Sequence, residues 1–161
     1  MPVPIHILRR LSPAPSAIFL ASKLIKDHGV AVGDRITVIA HRNIDSVVCM
    51  LAIMRAGAIY VPIDPANPKE MINILIKKSC SSLTLLVSSL DLVFVETSDI
   101  SYLLIDKSIY TGKNIQEFIY PKTTEKDAAY LIFTSGSTGA PKGVPITYNN
   151  LNEYINAINY D

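Results

Sequence analysis

Net charge is almost absent from this sequence: 15 Lys and Arg against 14 Asp and Glu leave a formal +1. That is too little for the long-range field that draws a protein onto nucleic acid or an anionic membrane. Long apolar runs are missing too, and nothing approaches the roughly 18 consecutive apolar residues of a spanning helix. The opening "MPVPIHILRRLSPAPSAIFLASKLIK" sets Arg9 and Arg10 before an apolar patch, but Pro13 and Pro15 interrupt it and Lys23 ends it, short of a signal-peptide core. Nucleic-acid binding, a membrane span and export are therefore not expected, and the cytoplasm is the expected location. Cysteine is scarce as well. Cys49 and Cys80 have no neighbouring Cys or His at metal-ligand spacing, so they read as reduced core or surface thiols. His6, His28 and His41 are scattered and fit no metal pattern either.

What the chain does have is apolar content. Hydrophobic residues make up 49% and charged residues 18% of its 161 positions, which points to buried parallel strands or to a face meant for another protein segment. The length fits one domain or the front of a larger one.

The patterning alternates between the two periods. Residues 18–27 carry Ile18, Ala21, Leu24 and Ile25 on one helical face, with Gly29 as the C-terminal cap. "RITVIA" (35–40) is a short β-branched run and reads as a buried strand. Asn43 then caps a helix with Ile44, Val47, Val48 and Leu51 along one side, ending near Gly57. "AIYVPID" (58–64) is a second strand, with Asp64 and Pro65 setting a turn. A helix over 68–79 follows, with Asn67 as N-cap, Pro68 in the first turn and Glu70 as capping-box partner; Lys77 and Lys78 at its end complement the helix dipole. Residues 83–87, 92–95, 102–105 and 131–134 are strand candidates, 110–126 reads as loop, and 144–147 as extended. Leu151, Tyr154, Ile155 and Ile158 mark a final helix. The expected class is α/β, a largely parallel sheet flanked by helices, with residues 1–15 an irregular start.

Glycine is rationed. Of only 7 in the chain, Gly136, Gly139 and Gly143 fall within "YLIFTSGSTGAPKGVPIT" (130–147). Backbone N–H groups grip phosphate oxygens only where no β-carbon blocks the approach and the chain can visit positive φ, which suits Gly136 and Gly139. Thr134, Ser135, Ser137 and Thr138 add rotatable hydroxyl donors, and Lys142 a compact charge on a long stem. The P-loop pattern is not met, since no Ser or Thr follows Lys142, and neither is GxGxxG. A surface turn has the same composition. The segment is entered from the strand "YLIFT", however, which places it at a strand end, where α/β folds bind ligands.

"TSGSTGAPKG" (134–143) resembles the phosphate-loop signature of the acyl-adenylate-forming, AMP-binding superfamily. "GVAVGDRITVIAHRN" (29–43) and "MRAGAIYVPIDPANP" (54–68) are similar to two further blocks of that family, in its order. The look is closest to amino-acid adenylation domains of nonribosomal peptide synthetases and to D-alanine–carrier protein ligases. The resemblance implies ATP-dependent activation of a carboxylic acid: the carboxylate attacks the α-phosphate, pyrophosphate leaves, and the acyl-AMP passes to a carrier-protein or coenzyme A thiol. It further implies that Thr134, Ser135, Gly136, Ser137, Thr138 and Gly139 surround the β- and γ-phosphates, and that Lys142 neutralises departing pyrophosphate. Magnesium is expected with the ATP, held by a ligand outside these residues.

The segments that in the family hold the adenine, ribose, metal, most of the acid and the catalytic lysine have no counterpart in residues 1–161. The family's usual histidine after the loop is Tyr148 here, and its block before the first helix has no counterpart around "SPAPSAIFLAS". The whole chain thus reads as a truncated N-terminal part of an adenylation domain, inactive alone, with the remainder as a separate chain among the expected partners. A non-catalytic nucleotide- or phosphate-binding module, or an inert or partner-dependent relic, stands as the alternative.

Overall fold

The computed structural model describes residues 15–87, 101–106, 118–135 and 140–158. Six strands form one sheet in the order β4-β3-β1-β2-β5-β6. They are β1 (Arg35–Ile39), β2 (Ile59–Ile63), β3 (Leu83–Leu86), β4 (Tyr102–Leu104), β5 (Ala128–Ser135) and β6 (Pro141–Thr147). Every pairing is parallel except β5 with β6, which is antiparallel. The helices are α1 (Pro15–Lys26), α2 (Ile44–Arg55), α3 (Lys69–Ser79) and α4 (Tyr148–Ile158). The α/β expectation with a largely parallel sheet is the fold observed. Among the described residues no helix is long and apolar enough to cross a membrane.

Strand alternation divides β1 between two cores. Ile36 and Val38 join Leu20 and Leu24 of α1 and Cys49, Ala52 and Ile53 of α2 on one face. On the other, Ile39 packs with Ile63, Leu86 and the α3 residues Ile72, Leu75 and Ile76. α4 closes a third cluster, in which Tyr148 meets Met54 and Ala129.

Several local expectations are corrected. α1 starts at Pro15 rather than residue 18, because proline suits the first turn of a helix. The α2 cap is as read, with the Asn43 side chain accepting from the Ser46 amide at 2.8 Å, but Ile44 is 82% exposed. That residue stands in the first turn, beyond the sheet layer, whereas Cys49, Ala52 and Ile53 are wholly buried because α2 is packed by α1 on one side and the sheet on another. Asn67 does not cap α3. Its amide Nδ2 donates to the Asp64 carbonyl at 2.8 Å, and Pro68 holds the N-cap position with no side-chain bond. The turn at Asp64 claims the asparagine first: Asp64 Oδ1 accepts from the Ala66 amide at 2.8 Å.

β5 is longer than the 131–134 expected. β6 begins at Pro141, so Gly143, which looked like part of the loop, is a strand residue opposite Phe133. A β-carbon there would stand 3.2 Å from Leu131 Cδ1 and 3.4 Å from Phe133 Cε1, so the space is filled by side chains of β5. The strand expected over 92–95 and His6 lie outside the described residues, as do residues 110–117 of the expected loop; 118–123 are irregular. The two cysteines are thiols, Cys49 in the core and Cys80 at the surface.

Candidate functional site

Parallel strands leave their carboxyl ends, and the turns that follow, along one border of the sheet. A cavity of about 690 Å³ opens there. Its walls come from three turns that are remote in sequence: His41 and Arg42 after β1, Asp64 and Asn67 after β2, and Thr134 and Ser135 at the end of β5. Its apolar walls include Tyr60, Ile63, Met71 and Leu75.

The three parts of the cleft differ chemically. Asp64 is committed to its own turn through the Ala66 amide. His41, which in sequence fits no metal pattern, and Arg42 are exposed on the cleft wall, and the Arg42 guanidinium brings a positive charge; the signal available was their place between a strand and the cap of the next helix. Thr134 and Ser135 present hydroxyls at the mouth of the β5–β6 hairpin, where Thr134 pairs with Lys142 and Ser135 with Pro141. The Thr134 hydroxyl donates to the Lys142 carbonyl at 3.4 Å. Paired residues of an antiparallel ladder project to the same face, so the Lys142 side chain rises beside that of Thr134. Lys142 itself is exposed and does not line the cavity. Gly136, Ser137, Thr138 and Gly139 lie outside the described residues.

Tyr60 sits on the cavity wall, and its phenol is pushed up to about 12 by burial and, secondarily, by the neighbouring Cys49. It is neutral near pH 7 and serves as packing surface rather than as a base. Tyr148 is 2% exposed and away from the cavity, its hydroxyl donating to the Met54 carbonyl at 3.1 Å. Among the described residues no group of three or more His, Cys, Asp or Glu could hold a metal ion.

The sequence profile of the AMP-binding enzymes matches residues 17–161. The chain belongs to the AMP-binding enzyme family. Tyrocidine synthase 3 of Brevibacillus parabrevis is 36% identical over 131 residues, which are 81% of this chain and 2% of that protein. Among solved structures, the nonribosomal peptide synthetase FmoA3 in its α-methyl-L-serine-AMP-bound form superimposes with a TM-score of 0.78 at 23% identity, over 90% of this chain and 16% of its own. The N-terminal subdomain of Klebsiella oxytoca NpsA gives 0.71 at 24% identity, over 84% of this chain and 34% of its own. At these identities the two superpositions speak for the fold. The chain spans a small share of each of these proteins and corresponds to the N-terminal portion of an adenylation domain.

The three sequence blocks that carry the family likeness meet at the cleft of this AMP-binding family member. One finishes at His41, Arg42 and Asn43, one passes through Asp64 and Asn67, and one starts at Thr134 and Ser135.

Proposed function

We propose that this chain carries the ATP phosphate-binding loop of a carboxylate-activating, adenylate-forming ligase, and that its 161 residues do not complete the reaction alone. The observation that carries the reading is the convergence of three family-like blocks on one cleft whose rim holds Thr134 and Ser135, with Lys142 opposite Thr134. ATP, when bound, supplies the adenylyl group and the pyrophosphate leaving group. The Thr134 and Ser135 hydroxyls rotate to donate to phosphate oxygens, Gly136 to Gly139 offer backbone amides, and Lys142 brings a charge to the same face as Thr134. Such donors stabilise the negative charge that grows as pyrophosphate separates.

An amino acid is the acid proposed, since the relatives include tyrocidine synthase 3 and FmoA3. A carrier-protein or coenzyme A thiol is the acceptor, and the cytoplasm the compartment. The described residues offer no acidic cluster for magnesium, and Asp64 is engaged in its turn, so no step is assigned to the metal. This reading requires the remaining adenylation-domain segments, and a separate polypeptide carrying them is the partner proposed.

The cavity is formed by the chain's own elements, which favours as second reading a nucleotide-binding module without catalysis. Calorimetric titration with ATP, and carboxylate-dependent ATP–pyrophosphate exchange, test both. Binding without exchange is expected for the chain alone. Exchange restored by adding a polypeptide with the remaining adenylation-domain segments selects the ligase, and its continued absence selects the module. Robust exchange by the chain alone overturns the claim of incompleteness, and no ATP binding at all leaves an inert relic.

A further inference from the structure

The loop stem is held from a second direction. Lys78, in the last turn of α3, donates from Nζ to the Pro141 carbonyl at 3.1 Å, across 63 positions of sequence. Pro141 is the first residue of β6, paired with Ser135, the last of β5; the two bracket the glycine-rich loop. We propose that Lys78 is a positioning residue for that loop, a strut fixing its exit end against the body of the domain.

The geometry makes the strut stiff at its base. The residue after Lys78 is Ser79, wholly buried, whose carbonyl accepts from Arg35 Nη1 at 3.0 Å and whose hydroxyl donates to the Ile76 carbonyl at 2.7 Å. The Ser79 hydroxyl also meets Thr37 of β1 at 3.2 Å, and Thr37 meets Ser81 at 2.7 Å. α3 thus ends on a hydroxyl cluster anchored to the central strand, and the only soft part of the link is the lysine stem. The direction of approach separates this lysine from Lys142. Phe133 packs in the α3-side core, so by alternation Thr134 and its partner Lys142 face away from α3, whereas Lys78 comes from the α3 side.

Glycine loses more conformational freedom on being ordered than any other residue. Fixing one end of the glycine-rich loop beforehand reduces what a ligand must order. This inference rests on the phosphate-loop reading for its effect on ATP, but the strut is testable without ligand. Hydrogen exchange of the Ser135, Ala140 and Lys142 amides is measured in the ATP-free chain for wild type, Lys78→Met and Lys78→Arg. Loss of one charge-assisted bond speeds exchange at the loop stem by about two- to tenfold in K78M, with the α1 and α2 amides unchanged and K78R returning to the wild-type rate. Removing a charge that merely attracts phosphate leaves exchange in the absence of phosphate unchanged. Equal rates in all three proteins, or the same acceleration in both variants, overturns the strut. In parallel titrations, ATP affinity falls by a similar factor in K78M if the loop binds phosphates. Failure of wild type to bind ATP removes the phosphate reading and leaves the strut to be decided by the exchange rates.

Discussion

The Tyr148 hydroxyl donates to the Met54 carbonyl at 3.1 Å, tying the first turn of α4 to the last turn of α2 across 94 positions of sequence. Tyr148 is buried beside Ala129, and its own amide donates to the Asp127 carbonyl at 3.0 Å. The residue that stands where the family usually has histidine is therefore a structural fastener between two helices and the β5 strand. Its phenol does not reach the cleft.

Tyr148→Phe keeps the ring packing and leaves the Met54 carbonyl without this donor. Such a loss costs about 1–3 kcal/mol, and denaturant titration should show the midpoint falling with an unchanged slope. ATP affinity should not change. A variant as stable as wild type would refute the fastening role.

Alkaline pH should loosen the same region. Burial first, and the negative charge of Asp127 second, hold the Tyr148 phenol above its ordinary value; Tyr60 is pushed up to about 12. Both pKa values are raised by folding, so the stability linked to them is fully present below pH 10, the unfolded value, and is lost as pH rises, for Tyr60 through about 12. Melting temperature followed against pH, with phenolate absorbance as the second signal, should show the decline beginning near pH 10 and a shallower one in Tyr148→Phe. A melting temperature flat from pH 9 to about 12 would contradict the burial of both phenols.

Lys142→Ala should weaken ATP binding by about tenfold or more, the scale of one charge-assisted contact. Because the side chain is exposed, stability should stay within about 0.5 kcal/mol. Calorimetry and thermal melting read the two separately, and indistinguishable isotherms would remove Lys142 from binding.

Gly57 joins α2 to β2 at φ +76°, and a β-carbon there would stand 3.0 Å from Val32 Cγ2 and 3.3 Å from Thr123 Cγ2. Strain and crowding act together in Gly57→Ala, and the expected loss is about 1–3 kcal/mol. Gly33, at φ +86° with open space around its α-carbon, isolates the strain alone, so Gly33→Ala should cost less. Equal losses would mean that crowding at Gly57 is relieved by its neighbours.

Much of the fold was legible because local signals agreed with the elements formed, although on α4 the pattern residues Tyr154 and Ile158 are exposed. The β-branched run of β1, the Asn43 cap and the i, i+3, i+4, i+7 pattern of α4 each name an element that the structure contains. Where the sequence misled, a competing polar partner or an unseen layer decided. Asn67 went to the Asp64 carbonyl instead of the α3 amides, and Ile44 and Val47, in the first turn of α2, are exposed while Val48 and Leu51 are buried. The glycine-rich segment could be placed at a strand end from sequence, but not the antiparallel return of β6, nor that Gly143 would be needed for contact with Leu131 and Phe133. Lys78 was illegible in principle: dipole complementation explains a lysine at a helix end, and only tertiary structure brings Pro141 within its reach.

β6 forms the border of the sheet, and Pro141 and Pro145 lie on it four positions apart. Prolines occupy such strands with the missing donor turned outward, so that border offers an interrupted row of amides. A further strand pairing along it would lack those two donors. A neighbour stacked upon the face of the β5–β6 hairpin, by contrast, would be seated by side chains and would need no backbone ladder.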